Sequence, residues 1–130
     1  MAAGHHVFLV DDDAALGEMY SLGLEAEGLR VTVLVDAMDL NERVAAEDPD
    51  IVVLDWELPG IRGDQALERL RRSDEGRGIP VLMLSNFSGT RNGVIDRVFA
   101  SGAIAWLEKV NTSPSQLASK LREVLANPVV

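Results

Sequence analysis

Short apolar runs recur along the chain, and each ends at a polar or turn-forming residue. Continuous apolar runs rich in β-branched residues are typical of strands that are buried on both faces of a sheet. One run contains Arg30 and Thr32, which predicts a half-exposed edge strand. The pattern therefore predicts strands at residues 7–10, 29–35, 51–55, 80–84 and 103–107.

Between these runs, apolar residues recur at helical spacing. Asp13 and Asp36 are suited to cap the first two helices, and Gly28 is suited to end the first. The stretch Ser113-Pro114-Ser115-Gln116 is a capping box with proline at the first helical position. We predict helices from Asp13 to about Gly28, over 37–47, 64–73 and 88–100, and from Ser113 onward. Their inward residues are predicted to be Leu16, Met19, Tyr20, Gly23, Leu40, Val44, Leu67, Leu70, Val94, Ile95, Val98, Phe99, Leu117, Leu121, Val124 and Leu125.

The alternation of strands and helices predicts the fold class. Strands joined through helices pair in parallel with right-handed crossovers, which places helices on both faces of one sheet. We expect a single α/β domain over residues 1–130, with an ordered core of about 6–126 and a loose tail at 127–130. No internal repeat or linker divides the chain.

Composition and charge exclude several classes of function. The chain has no cysteine, which rules out a disulfide framework, a thiolate zinc site and a catalytic thiol. No apolar stretch approaches the length of a membrane span, so we expect no membrane partner and a cytoplasmic location. The net charge of −9 argues against direct binding of nucleic acid. Arg69, Arg71 and Arg72 are predicted to form a solvated face, and His5 and His6 to be flexible.

Polar residues follow four of the predicted strands. Asp11 and Asp12 follow the first strand, Asp55 ends the third, Ser85 follows the fourth, and Lys109 lies just beyond the fifth. If these strands are neighbours, the five side chains meet at one edge of the sheet, where α/β proteins bind ligands. Carboxylates crowded together need a cation, and oxygen ligands suit Mg²⁺. Such a metal with Lys109 and Ser85 would suit a phosphoryl group, and Asp55 could be its nucleophile.

This set of motifs resembles the receiver domain of two-component response regulators, of the chemotaxis-receiver type. The matching segments are Val10-Asp11-Asp12-Asp13, Asp55 with Pro59-Gly60 and Gly63 after it, Met83-Leu84-Ser85, and Lys109. The resemblance covers essentially the whole chain. It implies a three-layer, flavodoxin-like (βα)5 fold whose five-stranded parallel sheet has the order 2-1-3-4-5.

The resemblance also implies roles for the matched residues. Asp55 would accept a phosphoryl group from the phosphohistidine of a sensor histidine kinase or a histidine phosphotransfer protein. Asp11, Asp12, Asp55 and the backbone carbonyl of Glu57 would bind Mg²⁺ or Mn²⁺. Lys109 would pair with the phosphoryl group. The chain would then be a signalling switch, catalysing only its own phosphorylation and dephosphorylation.

The output of the switch would be a change of surface. By the same resemblance, Ser85 would move toward the phosphoryl group and Trp106 would turn inward, remodelling the face of the fourth helix, fifth strand and fifth helix. The alternative for Trp106 is a half-buried packing residue. The sequence does not identify the downstream protein target. A homodimer through the same face is compatible with the resemblance, although no sequence feature supports it.

Three positions near the site bear on its chemistry. Val110 follows Lys109 where the family usually has a proline in a cis bond, and a cis bond before valine would cost ~2.5–4 kcal/mol. We therefore predict a trans Lys109–Val110 bond, which could displace the Lys109 ammonium or reshape the loop to Thr112. Asn86 and Glu57 flank the path of a hydrolytic water and should set the lifetime of the acyl phosphate.

Two other functions stay open at this point. The first is a receiver-like interaction domain that is not phosphorylated and acts as a scaffold. The second is a small α/β phosphatase or hydrolase. The sequence contains no glycine-rich phosphate loop and no G-x-S-x-G elbow, and both absences argue against the second function.

Overall fold

The computed structural model describes residues 4–86 and 93–126, except for the side chain of Val94. The strands of these residues are β1 His6–Val10, β2 Arg30–Leu34, β3 Ile51–Leu54, β4 Val81–Ser85 and β5 Ala103–Glu108. The helices are α1 Ala14–Ala26, α2 Leu40–Glu47, α3 Gly63–Arg72, α4 Val94–Ala100 and α5 Pro114–Ala126, with a 3-10 turn at Lys109–Asn111. All predicted strands are present. Two predicted segments, the start of the fourth helix at 88–92 and the tail at 127–130, lie outside the described residues.

The five strands form one parallel sheet in the order β2-β1-β3-β4-β5. This confirms the expected α/β fold with flavodoxin-like strand order. β2 lies at an edge and is partly exposed, as its polar residues predicted. β1, β3 and β4 are central, and their carboxyl ends lie side by side because Val10 pairs with Leu54 and Leu54 pairs with Met83.

Successive strand residues point into two separate cores. On one face of the sheet, residues such as Val7 and Val53 pack against Leu24 of α1 and Leu121 of α5. On the other face, residues such as Val52 pack with the inner sides of α2, α3 and α4. Each fully buried aliphatic side chain contributes roughly 1.5–3 kcal/mol. Apolar burial on both faces thus holds the central strands, whose ends carry the polar residues of the next section.

The inner face of α1 differs from the prediction. Its buried residues are Gly17, Tyr20 and Leu24, whereas Met19 is 42% exposed and Leu16 is only partly buried. The buried stripe follows the contact with α5, where a Cβ at Gly23 would lie 2.3 Å from the Cβ of Pro114. Gly23 therefore allows the two helices to approach closely.

The start of α2 was also predicted too early. Asp36 does not cap a helix at Ala37, because its Oδ1 accepts a hydrogen bond of 3.0 Å from the amide of Met38. This bond closes an Asx turn, a conformation that competes with the first helical turn. The helix begins at Leu40, and Leu40 and Val44 face the core as predicted.

Two side chains of the third and fourth helices are placed differently from their predictions. Phe99 is 41% exposed, because the neighbouring Val98 occupies the inward position. Arg71 does not belong to a solvated face. Its guanidinium donates to the carbonyls of Gly76, Ser101 and Gly102 at 2.7, 2.9 and 3.2 Å. The bonds to Ser101 and Gly102 attach α3 to the loop after α4, and the bond to Gly76 holds the loop that follows α3 itself. Burial lowers the pKa of Arg71.

The histidines are not both free N-terminal residues. His6 is the first residue of β1, and its Nε2 lies 2.7 Å from Oγ1 of Thr32 on β2. His5 Nδ1 lies 3.7 Å from a carboxylate oxygen of Asp50. Both histidines lie at the amino-terminal edge of the sheet, opposite the strand ends that carry Asp11 and Asp55.

Candidate functional site

The strand ends bring Asp11, Asp55 and Lys109 into direct contact. Lys109 Nζ lies 2.8 Å from Oδ2 of Asp55 and 2.8 Å from Oδ2 of Asp11. The contact with Asp55 is a hydrogen bond, whereas the contact with Asp11 is a close ion pair whose angles are not those of a hydrogen bond. All three side chains are at least nine-tenths buried. The predicted convergence of these residues is therefore present.

The end of β1 positions the acidic run. The amide of Asp13 donates to Oδ1 of Asp11 at 2.9 Å, which fixes the orientation of the Asp11 carboxylate. Oδ1 of Asp13 in turn accepts from the amide of Leu16 at 3.1 Å and caps α1, as predicted. Asp12 lies between them and is exposed. One short stretch thus supplies a buried carboxylate, a solvent-facing carboxylate and a helix cap.

The loop after β3 folds back on Asp55. The amide of Glu57 donates to Oδ1 of Asp55 at 3.1 Å, and the amide of Gly63 donates to the carbonyl of Trp56 at 2.8 Å. A Cβ at Gly63 would lie 2.3 Å from the carbonyl oxygen of Asp55, so a larger residue would push the loop away. Glycine is therefore required at position 63, because the backbone of Asp55 approaches this residue closely.

The peptide bond after Lys109 is trans, as predicted, and the described part of the chain contains no cis peptide. The ammonium is nevertheless in place between the two carboxylates, so the first of the two consequences considered for the missing proline, displacement of the ammonium, does not occur. Val110 is 79% exposed and leaves the Lys109 side chain free to point into the site. Valine in place of the usual proline therefore leaves the ammonium at the site.

Two buried carboxylates share one buried cation, and this ratio sets the electrostatics of the site. Burial raises the pKa of Asp55, against the opposing effect of the hydrogen bond from Lys109. For Lys109, burial acts to lower the pKa, but the two adjacent carboxylates outweigh it and raise the pKa above its ordinary value. The group as a whole keeps a net negative charge, which favours a second cation.

The geometry fits a divalent cation. Carboxylate oxygens of Asp11, Asp12 and Asp55 all lie within 4.8 Å of one another. Asp12 and Asp55 line a cleft of about 260 Å³, whereas Asp11 is buried and does not line it; the full lining is Asp12, Asp13, Asp55, Glu57, Asn86 and Lys109. An oxygen-only donor set with room for water is the coordination that Mg²⁺ prefers. A larger cavity of about 460 Å³ lies at the opposite edge of the sheet and contains none of these residues.

The two predicted switch residues lie on the neighbouring strands β4 and β5. Ser85 is the last residue of β4 and is fully buried. Trp106 of β5 pairs with Met83 in the sheet and packs, half-buried, against the core on the α2, α3 and α4 side. Glu57 and Asn86 are exposed at the cleft, where the sequence placed them.

Sequence reasoning missed one contact behind the site. Tyr20 was assigned only to a packing face, but its hydroxyl donates to the carbonyl of Thr112 at 2.6 Å. The same hydroxyl lies 3.4 Å from the carbonyl of Lys109. The only signal in the sequence was a tyrosine in place of an aliphatic residue on a buried helical face.

Comparison with known proteins agrees with this geometry. The family model described as "Response regulator receiver domain" matches residues 7–122. The transcriptional regulatory protein CseB of Streptomyces coelicolor is 37% identical over 128 residues, covering 96% of this chain and 51% of that protein. The phosphate regulon transcriptional regulatory protein PhoB of Rhizobium meliloti is 32% identical over 114 residues, covering 86% of this chain and 48% of that protein. The chain thus spans about half the length of these curated relatives.

Solved structures show the same fold. A CheY-like response regulator receiver domain protein from Methanospirillum hungatei superimposes with a TM-score of 0.84 at 24% identity, covering 95% of this chain and 94% of that one. Within residues 4–86 and 93–126, no helix has the length and apolar character needed to cross a membrane. The acidic cluster, the parallel sheet and the family match agree, and the chain belongs to the response regulator receiver domain family of two-component signal transduction.

Proposed function

We propose that the chain is switched by phosphorylation of Asp55, with Mg²⁺ or Mn²⁺ bound by the adjacent carboxylates. The observation that supports this most directly is the pair of 2.8 Å contacts from Lys109 to Asp11 and Asp55 inside an acidic cleft. For a purely structural ion pair, a single carboxylate would be enough to pair with the lysine. Here a buried cation, two buried carboxylates and an exposed Asp12 share one site open to solvent.

In this proposal Asp55 is the nucleophile. A carboxylate oxygen of Asp55 forms a bond to the phosphorus of a phosphohistidine on a sensor histidine kinase or a histidine phosphotransfer protein. The phosphorus–nitrogen bond of the donor breaks, and the leaving nitrogen keeps the electron pair. Lys109, which already touches Asp55, pairs with an oxygen of the transferred group. Hydrolysis reverses the state when water attacks phosphorus, releasing inorganic phosphate and restoring the carboxylate.

The metal ligands in this proposal are Asp11, Asp12, Asp55 and the backbone carbonyl of Glu57. When bound, the metal would neutralise charge on the carboxylates and on the phosphoryl oxygens. Asp13 supports the site by fixing Asp11 through its amide. The amide of Glu57 does the same for Asp55, which keeps one carboxylate oxygen oriented while the other faces Lys109.

The response to phosphorylation would run through Ser85 and Trp106. Ser85 stands at the end of the strand next to Asp55, and Trp106 lies on the following strand. We propose that the Ser85 hydroxyl donates to the phosphoryl group and that Trp106 follows, changing the face of α4, β5 and α5. A protein target or a second copy of the chain would read this face, with no direct contact to nucleic acid or membrane and a cytoplasmic location.

The test is incubation with Mg²⁺ and acetyl phosphate, followed by intact mass. We expect one phosphate-sized adduct on the wild-type chain, none on Asp55→Asn, and none when EDTA replaces Mg²⁺. An adduct that survives in Asp55→Asn would assign the phosphoryl group to another residue. A wild-type chain that stays unmodified and binds no Mg²⁺ at millimolar concentration would support the scaffold alternative instead.

A further inference from the structure

The backbone of the Lys109–Asn111 turn, which carries the site lysine, is held against α1 by one short buried hydrogen bond. That bond runs from the Tyr20 hydroxyl to the carbonyl of Thr112, at 2.6 Å. The hydroxyl also lies 3.4 Å from the carbonyl of Lys109. The two carbonyls flank the turn, so Tyr20 contacts its beginning and its end.

Apart from the contacts of the Lys109 ammonium with Asp11 and Asp55, the other contacts of this turn are weaker. Its own closing bond, from the amide of Thr112 to the carbonyl of Lys109, is 3.3 Å long. The side-chain amide of Asn111 reaches Glu108 only at 3.4 Å and in an exposed position. Val110 is 79% exposed and so adds little packing. The backbone of the turn therefore depends on a side chain from α1.

Tyr20 is well suited to that task. It is 1% exposed, in the middle of α1, and its ring packs in the core shared with α5. Burial raises the pKa of its hydroxyl, which therefore stays protonated and able to donate at neutral pH. The helix that holds Tyr20 begins directly after Asp11 and Asp12. One rigid element thus carries both the acidic run and the tether of the lysine loop.

We infer that Tyr20 is a positioning residue for phosphorylation, which holds the turn so that the Lys109 ammonium stays between Asp11 and Asp55. The inference rests on the proposed phosphorylation of Asp55. It concerns α1 and the turn after β5, which are far apart in the chain and meet only in the folded domain. In the proposed mechanism Tyr20 is neither a metal ligand nor a contact of the phosphoryl group, and it acts only through the position of Lys109.

The first test is the rate of phosphorylation by acetyl phosphate in saturating Mg²⁺. Tyr20→Phe keeps the ring and removes the hydroxyl, and we expect it to react about 10-fold more slowly than wild type, because a displaced charge loses alignment with the reacting group. Leu24→Val is the matched control, since it loosens the same buried face of α1 one turn later. It should react at the wild-type rate. Equal rates for Tyr20→Phe and wild type, or equal slowing in both variants, would overturn the inference.

The second test asks whether the effect passes through Lys109. Mg²⁺ affinity is measured from the fluorescence of Trp56, which adjoins Asp55, in the wild-type and Lys109→Met backgrounds. A less firmly held ammonium competes less with the metal, so Tyr20→Phe should bind Mg²⁺ about threefold more tightly when Lys109 is present. It should have no effect in the Lys109→Met chain. The same change in both backgrounds would refute the inference.

The outcomes separate this inference from the proposed function. If the wild-type chain is not phosphorylated, the proposed function is wrong. Normal phosphorylation of wild type with a fully active Tyr20→Phe would defeat only the role of Tyr20. If Tyr20→Phe does not fold, NMR of the wild-type chain decides instead: a slowly exchanging Tyr20 hydroxyl proton close to Thr112 supports the tether, and its absence contradicts it.

Discussion

Lys109→Met should change stability in a way that depends on Mg²⁺. The substitution keeps an unbranched side chain that is one atom shorter and removes its charge. At an effective dielectric constant of about 20, each 2.8 Å contact is an attraction of roughly 6 kcal/mol, and two carboxylates within 4.8 Å repel each other by roughly 3 kcal/mol. Without the lysine only the repulsion is left.

The net loss is smaller than these gross values, because burying the lysine was itself costly and Asp55 can take up a proton. Breaking a buried ion pair by removing one partner typically costs about 3–5 kcal/mol. We expect Lys109→Met to lower the free energy of unfolding by about 3 kcal/mol in EDTA at pH 7, measured by urea denaturation. Lys120→Met is the control, since Lys120 pairs with Glu123 at 3.6 Å on the surface and should cost about 0–1 kcal/mol.

Mg²⁺ should then recover part of the loss. Removing the competing ammonium should tighten Mg²⁺ binding about tenfold, and each tenfold in affinity is about 1.4 kcal/mol of added stability at saturation. The gap between wild type and Lys109→Met should therefore narrow by about 1.4 kcal/mol when both are saturated. The narrowing must equal RT ln of the ratio of the two Kd values from fluorescence titration. An unchanged gap with unchanged Kd would show that the ammonium does not occupy the carboxylate site in solution.

Three further predictions concern Asp55, Arg71 and Ser113. Burial raises the pKa of Asp55 in the folded state, so the ionised carboxylate destabilises the fold relative to the protonated one. The free energy of unfolding should therefore be higher in acid and should fall as the pH rises through the folded-state pKa of Asp55. Urea denaturation should therefore find Asp55→Asn as stable as wild type in acid and more stable at pH 7; the reverse order would contradict the raised pKa. Arg71→Met should lower the free energy of unfolding by about 2–3 kcal/mol, since the carbonyls of Gly76, Ser101 and Gly102 lose their donor, while the exposed Arg72→Met should stay within about 0.5 kcal/mol. Ser113→Ala should cost about 1 kcal/mol by removing the acceptor of the α5 capping box, and Ser115→Ala, with no capping bond, should be close to neutral in the same thermal or urea assay.

The strands and the location of the site could be predicted because their signals are local. A buried run rich in β-branched residues, such as Ile51–Leu54, is typical of a central strand. The Trp56 to Gly60 segment after it ends in proline and glycine, which favour a turn. In a parallel sheet all strands end at the same edge, so the polar residues after β1, β3 and β5 had to lie near one another. The capping box at Ser113 was predictable for the same reason.

Helix faces were less predictable, because neighbouring apolar residues compete for one inward position. Val98 and Phe99 are adjacent, and the inward position went to Val98, which left the phenylalanine exposed. On α1 the outcome depended on the close approach of Gly23 to Pro114 of α5, which is remote in sequence. Asp36 shows a local competition instead, between an Asx turn and a helix cap.

The sequence by itself determined the α/β class, the strand order through its family resemblance, and the edge of the sheet where Asp11, Asp12, Asp55 and Lys109 had to meet. It did so because the period of the hydrophobic pattern and the ends of the strands are set by residues close together in the sequence. Only the tertiary structure decided that one ammonium is shared by two buried carboxylates, and that the Tyr20 hydroxyl supports the turn behind it. Such contacts join residues dozens of positions apart, and their geometry is set by how helices pack on the sheet.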